Sequence, residues 1–227
     1  MSHRLCRDVC AVVPCFNEER TIGPLVSEIR QHLDLCIVVD DCSADRTAEL
    51  AAAAGARLLR HERNLGKGAA LRNGFALAAA SGVRAAITLD GDGQHDPQEI
   101  PHFLSAFFQD DADIVLGDRM GDPAPMPFVR RLTNRFSSWC ISQVTGVPIR
   151  DSQTGFRLIR LGTWEALPLE GRRFDLESEV LIKACRRGAR LAHVPVRAIY
   201  RGTEQSKINP LFDTLRFFRV LWRCRRA

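Results

Sequence analysis

The stretch "RAAITLDGDGQHDP", residues 84 to 97, decides how the chain is read. An apolar run of strand length ends on Asp90, and Asp92 and Gln94 follow at alternate positions. Asp96-Pro97 then has the form of an N-cap with proline at the first helical position. Three oxygen-bearing side chains at spacing two are more than a turn needs. The loop is either a solvated connection or a holder of a hard cation. It is not an EF-hand calcium loop: the sixth position is His95 where glycine is required, and the twelfth is Pro101 where glutamate is required.

Outward from this stretch the same pattern recurs. Strand-length apolar runs stand at 9–14 ("VCAVVP"), 35–41 ("LCIVVDD") and 113–119 ("DIVLGDR"), with a short one in "ARLLRHE". Between them lie an amphipathic segment from Thr21 to about Leu33, an alanine-rich helix ending near Gly55, and "GKGAALRNGFALAAAS" closed by Gly82. Glycine is a natural left-handed helix stop. This alternation predicts an α/β fold with a mostly parallel central sheet and helices on both faces. The unbroken apolar strands fit a sheet covered on both sides. Beyond residue 120 come "GDPAPMP", helical segments, a hairpin near "DSQTGFRLIR", a helix over 175–187 and a strand at 191–200. The reading is one domain, 1–209, with a basic amphipathic helix at 210–227.

Composition narrows the function. Of 227 residues, 45% are hydrophobic and 26% charged, as in an ordinary globular protein. No run reaches the roughly 18 apolar residues of a spanning helix, and the N-terminus lacks the apolar core of a signal peptide. These features predict a cytoplasmic protein. The eight cysteines include no CxxC pair, so they read as reduced thiols filling the core, not as a zinc site. From residue 201 onward there are seven basic and two acidic residues, which account for the whole formal charge of +5. The partner of the basic character belongs at that tail. Leu211, Leu215, Phe218 and Trp222 stand at helical spacing there, beside Arg216, Arg219 and Arg223. A basic amphipathic helix suits an anionic membrane surface, and the alternative is a helix docked on the domain. No aromatic-basic pattern supports nucleic-acid readout, so no nucleic acid is expected.

In a parallel sheet, ligands bind at the carboxyl ends of the strands. Three such ends carry polar residues: Pro14 to Glu18, Asp40-Asp41, and Asp90 to Gln94. The usual phosphate loops are absent. There is no GxxxxGK[ST], and no GxGxxG follows the first strand; "GKGAAL" follows the third and lacks the last glycine. What remains is the carboxylate pair D-x-D. Mg²⁺ or Mn²⁺ is commonly held by one or two carboxylates together with substrate phosphates.

In order along the chain, "VVPCFNEERTI", "IVVDDCSADRT", "NLGKGAALRNGF", "LDGDGQHDP", "GDR", "DSQTGFR" and "RGTEQSK" resemble the family-2 glycosyltransferases of the GT-A fold. The resemblance is strongest to the polyprenyl-phosphate (dolichyl-phosphate) mannose synthases and their bacterial relatives. It implies an inverting, metal-dependent transfer of a hexose from a nucleotide-diphosphate sugar to a polyprenyl phosphate. By this resemblance Pro14, Phe16, Glu18, Val39 and Asp41 hold the nucleoside, with Phe16 where tyrosine is commoner. Asp90, Gly91, Asp92 and Gln94 form the metal and diphosphate loop. Arg119 matches a family arginine that faces the acceptor or the donor phosphate, and Arg201 and Lys207 match residues that close over the donor diphosphate; the chemistry adds Arg131 beside Arg119 as a candidate for the attacking acceptor phosphate. The resemblance implies Asp92, Arg119 and Lys207 as the catalytic group. A prenyl phosphate is already an anion and needs no general base; were the acceptor a saccharide hydroxyl, Asp151 would be the candidate base. A non-catalytic nucleotide-sugar-binding protein is the alternative from another class. Placement on the cytoplasmic face of the membrane follows, through the tail helix or a membrane-protein partner. The base, the sugar, the prenol length, the choice of metal and the oligomeric state are not fixed by these residues.

Overall fold

The computed structural model describes residues 6–121, 126–171, 175–197, 199, 217 and 219–224. Seven strands form its sheet: β1 (Cys6–Cys15), β2 (Leu33–Asp40), β3 (Arg57–Arg60), β4 (Ala85–Thr88), β5 (Ile114–Asp118), β6 (Arg157–Arg160) and β7 (Leu191–Pro195). The helices are α1 (Ile22–Ile29), α2 (Thr47–Ala53), α3 (Lys67–Ala80), α4 (Ile100–Gln109), α5 (Phe128–Thr145), α6 (Leu161–Glu165) and α7 (Asp175–Arg186). A 3-10 turn, Pro97–Glu99, feeds α4, and Asp96 caps it by accepting from Gln98 N at 3.0 Å.

The strand order is β3-β2-β1-β4-β6-β5-β7. All pairings are parallel except those of β6, which runs against β4 and β5. Side chains alternate across β1 because a strand has period two. Val9, Ala11 and Val13 enter one core, with residues of α1, α2 and α4. Cys10 and Val12 enter the other, with residues of α3, α5 and α7. Helices therefore cover both faces, as the unbroken apolar strands require.

Three expectations are corrected. The first helix stops at Ile29 instead of Leu33, because Leu33 opens β2 opposite Cys6. "DSQTGFRLIR" is not a hairpin: residues 151–156 form a loop, and β6 inserts between β4 and β5. The strand read at 191–200 ends at Pro195. Gly55 and Gly82 do close α2 and α3, at φ of +88° and +74°. The cysteines of the described residues are all free; burial pushes Cys10 and Cys36 up to about 12, so they behave as apolar filler.

Of the tail, Phe217 and residues 219–224 are helical. Val220 and Cys224 are buried in the second core, with Phe217 and Leu221 against it. Arg223 pairs with Glu179 at 3.0 Å and Glu170 at 3.3 Å. Trp222 is 59% exposed. The expected stripe of Leu211, Leu215 and Phe218 lies outside the described residues; at Trp222 it faces solvent, while the face one step round docks on the domain.

Candidate active site

Chain order reverses at β1, since β2 lies on one side of it and β4 on the other. The crevice beyond the carboxyl ends of β1 and β4 is thus the expected ligand site. Pro14 pairs with Val39 and Cys15 with Asp40 at one edge, and Val12 with Thr88 at the other. The acidic loop is tied to the β1 end by Thr21 Oγ1, which donates to Gly91 O at 2.6 Å. A Cβ on Gly91 would stand 2.8 Å from Cys15 Cβ and 3.4 Å from Pro14 O, so only glycine lets the two loops close. Phe16, 37% exposed, and Glu18 follow at this edge.

Asp92 is shaped by its own loop. Its Oδ1 accepts from Gln94 N at 3.0 Å and its Oδ2 from Gln94 Nε2 at 2.9 Å. Gln94 thereby orients Asp92 through its donor end. Asp90 instead meets a residue that the sequence reading missed: Lys67 Nζ lies 2.6 Å from Asp90 Oδ1 and 3.3 Å from Glu177 Oε1. Burial opposes the ammonium charge of Lys67, but Asp90 and Glu177 outweigh it and hold it protonated above the ordinary lysine range. Burial likewise opposes ionisation of Asp90, yet Lys67 brings its carboxyl down to about 2. His95 beneath the loop is pushed down to about 4, chiefly by burial, and stays neutral to accept from Asp90 N at 3.1 Å. A lysine in the first turn of α3 opposes the helix dipole. That mismatch was the available signal for Lys67, because it calls for carboxylate partners.

Behind the loop, Arg119 makes a two-pronged contact with Asp151: Nε to Oδ2 at 2.6 Å and Nη2 to Oδ1 at 3.0 Å. Asp151 is fully buried and Arg119 nearly so. Arg157, also buried, donates to the carbonyls of Thr154, Glu177 and Ser152 and so fixes the 151–156 loop. Gly155 abuts Asp90 so closely that a Cβ there would run into its carboxylate. Asp90, Asp151 and Glu177 thus interleave with Lys67, Arg119 and Arg157 in a charge network under one face of the crevice, buried at Asp151, Arg119 and Arg157 and half-buried at the other three.

Val39 and Asp41 stand at the same edge, Val39 paired with Pro14 and Asp41 N donating to Cys15 O at 2.9 Å. Val39 is fully buried in the core under α3. Asp40 accepts from Ser43 and pairs with Arg60 at 3.1 Å. Asp41 accepts from Leu65 N and Gly66 N at 2.8 Å and contacts His61 Nδ1 at 2.7 Å, ordering the loop that leads into α3. Arg131 is half-buried in the first turn of α5. Arg201 and Lys207 lie outside the described residues.

Among the described residues, no group of three or more His, Cys, Asp or Glu side chains could hold a metal ion. The acidic loop nonetheless fits a hard divalent ion, since Asp90 and Asp92 supply only oxygen donors and the shell is normally completed by phosphate and water.

The chain belongs to glycosyl transferase family 2, whose model matches residues 10–163. Its sheet and flanking helices are those of the GT-A fold. It is 27% identical to the UDP-N-acetylglucosamine–dolichyl-phosphate N-acetylglucosaminyltransferase of Methanococcus voltae, over 92% of this chain and 93% of that one. It is 31% identical to the dolichyl-phosphate hexose transferase of Haloferax volcanii, over 89% and 87%. Among solved structures, glucosyl-3-phosphoglycerate synthase of Mycobacterium tuberculosis, with Mn²⁺, UDP-glucose and phosphoglyceric acid, superposes with a TM-score of 0.73. There the identity is 21%, with 97% of this chain and 80% of that one covered.

Proposed function

We propose that this glycosyltransferase moves a hexose or N-acetylhexosamine from a nucleoside-diphosphate sugar to a polyprenyl phosphate, with inversion, on the cytoplasmic face of a membrane. One observation carries the choice of acceptor. The carboxylate that a hydroxyl acceptor would need as base, Asp151, has both oxygens engaged by Arg119 and is fully buried. A phosphate acceptor arrives ionised and needs no base, so Asp151 is spared to hold Arg119 as the acceptor's counter-ion, a role that Arg131 of α5 shares. The dolichyl-phosphate relatives support the same reading.

In this reading Pro14, Phe16 and Glu18 line the nucleoside edge, and Asp90 and Asp92 hold Mg²⁺ or Mn²⁺ against the donor diphosphate. The ion supplies charge stabilisation for the departing diphosphate. Lys67 keeps Asp90 ionised and fixed in place. Ile199 N donates to Gln94 O at 3.0 Å, which ties Ile199, two positions before Arg201 in the sequence, to the acidic loop. Arg201 and Lys207 close over the diphosphate and exclude water. Residues 1–209 form the catalytic domain and 210–227 its basic extension.

Purified protein incubated with UDP-glucose, UDP-N-acetylglucosamine or GDP-mannose, Mn²⁺ and a short prenyl phosphate should yield a glycosylated prenyl phosphate by mass spectrometry. A parallel arm offers 3-phosphoglycerate. Product in that arm alone would overturn the acceptor assignment, and undiminished turnover in excess EDTA would overturn the metal.

A further inference from the structure

α5 is packed inside out. It buries Asn134, Ser138 and Ile141, while Phe128, Val129, Leu132, Phe136 and Trp139 are 78%, 72%, 58%, 50% and 58% exposed. At 3.6 residues per turn these five side chains fall within an arc of about 100°. An ordinary surface helix turns its apolar stripe to the core, and a contiguous exposed one marks a binding face. Charge selects the partner. The helix carries Arg130, Arg131 and Arg135 and no acidic residue. Arg135 and Arg150 also flank a groove of about 600 Å³ that opens beside Trp139. A second copy docked face to face would set these arginines against one another. An aromatic, aliphatic face bordered by arginines alone fits an anionic lipid surface.

We propose that α5 is the face on which the protein seats on an anionic bilayer, and that this seating presents Arg119 to lipid-borne phosphate. The second half rests on the acceptor reading above; the first does not. The link between them is short. Ser152 N donates to Ser138 Oγ of α5 at 2.9 Å, and Ser152 adjoins Asp151, which grips Arg119. The docked face of the tail, by contrast, is spent on the protein's own core.

The test uses the full chain and vesicles of phosphatidylcholine with or without phosphatidylglycerol. Wild type should sediment with the anionic vesicles and less at high salt. The triple variant Leu132→Ser/Phe136→Ser/Trp139→Ser should lose binding by about tenfold or more, its changes being on exposed positions that leave the core untouched. Arg135→Glu should weaken binding to anionic vesicles only. The triple variant should also lose transfer to a long-chain prenyl phosphate in vesicles, yet keep transfer to a short, water-soluble one. Sedimentation of the triple variant like wild type overturns the proposal. So does a wild-type dimer, seen by analytical ultracentrifugation, that the variant dissolves while neither protein binds vesicles. Vesicle binding lost in the variant, with no transfer to either acceptor by wild type, supports the docking face and sinks the acceptor reading instead.

Discussion

Asp151 is the residue on which the chemistry turns. Its pair with Arg119 is buried on both sides, so removing one charge strands the other. Asp151→Asn should cost about 3 kcal/mol of stability in denaturant titration. It should also lower turnover by freeing the Arg119 guanidinium to shift. Stability unchanged within error would mean the pair is looser than its geometry. Asp92→Ala should behave oppositely, because the hydrogen bonds of Asp92 to Gln94 are local to the acidic loop and cross no core element. The fold should survive while transfer falls about a hundredfold, roughly 3 kcal/mol, the loss of one metal contact in the transition state. Circular dichroism beside initial rates separates the two cases. The spacing of Asp90, Asp92 and Gln94 singled out their loop but left a solvated connection and a cation site both open, and the metal role of Asp92 came from the family resemblance. The role of Asp151 was open in the sequence, since whether a carboxylate is a base or a clamp depends on what lies across the fold, 32 residues away.

At the scale of elements, Glu179 of α7 gathers three segments. It accepts from Glu170 N and Gly171 N, pairs with Lys183 at 2.7 Å and meets Arg223 of the tail helix. Burial opposes its charge, but the Lys183 and backbone hydrogen bonds prevail and hold the carboxyl below its ordinary 4.5. A depressed carboxyl contributes stability that is full above about 4.5 and is lost as pH falls through the lower folded value. Glu179→Gln should therefore lower stability by about 2 kcal/mol at pH 7. It should also flatten the loss below pH 4.5 and expose the tail to trypsin. Identical acid profiles for wild type and variant would contradict this. The parallel strands and α3 could be read from apolar runs and glycine stops. β6 could not: "RLIR" is four residues long, and its antiparallel seat between β4 and β5 is set by partners 40 to 75 positions away. The exposed face of α5 was not legible either, for another reason. Its apolar residues keep helical spacing, and spacing does not say which face is covered.

The acidic loop offers a metal ion few protein ligands, Asp90 and Asp92, and a donor diphosphate would complete the shell, so the two should bind together. Mn²⁺ alone should hardly move the melting temperature. Mn²⁺ with UDP or GDP at about a hundred times its Kd should add about 2.7 kcal/mol, or roughly 5 to 10 °C for a chain of this size. Additive small shifts would argue against a shared site. Most directly, the central claim is that the attacking atom is a phosphate oxygen of a prenyl phosphate. Phosphorus and proton NMR of the purified product tests it. The account predicts that the prenyl phosphate resonance moves from the monoester to the diester range, with the anomeric configuration opposite to that of the donor. A phosphate that stays a monoester while sugar appears on a hydroxyl acceptor would contradict it.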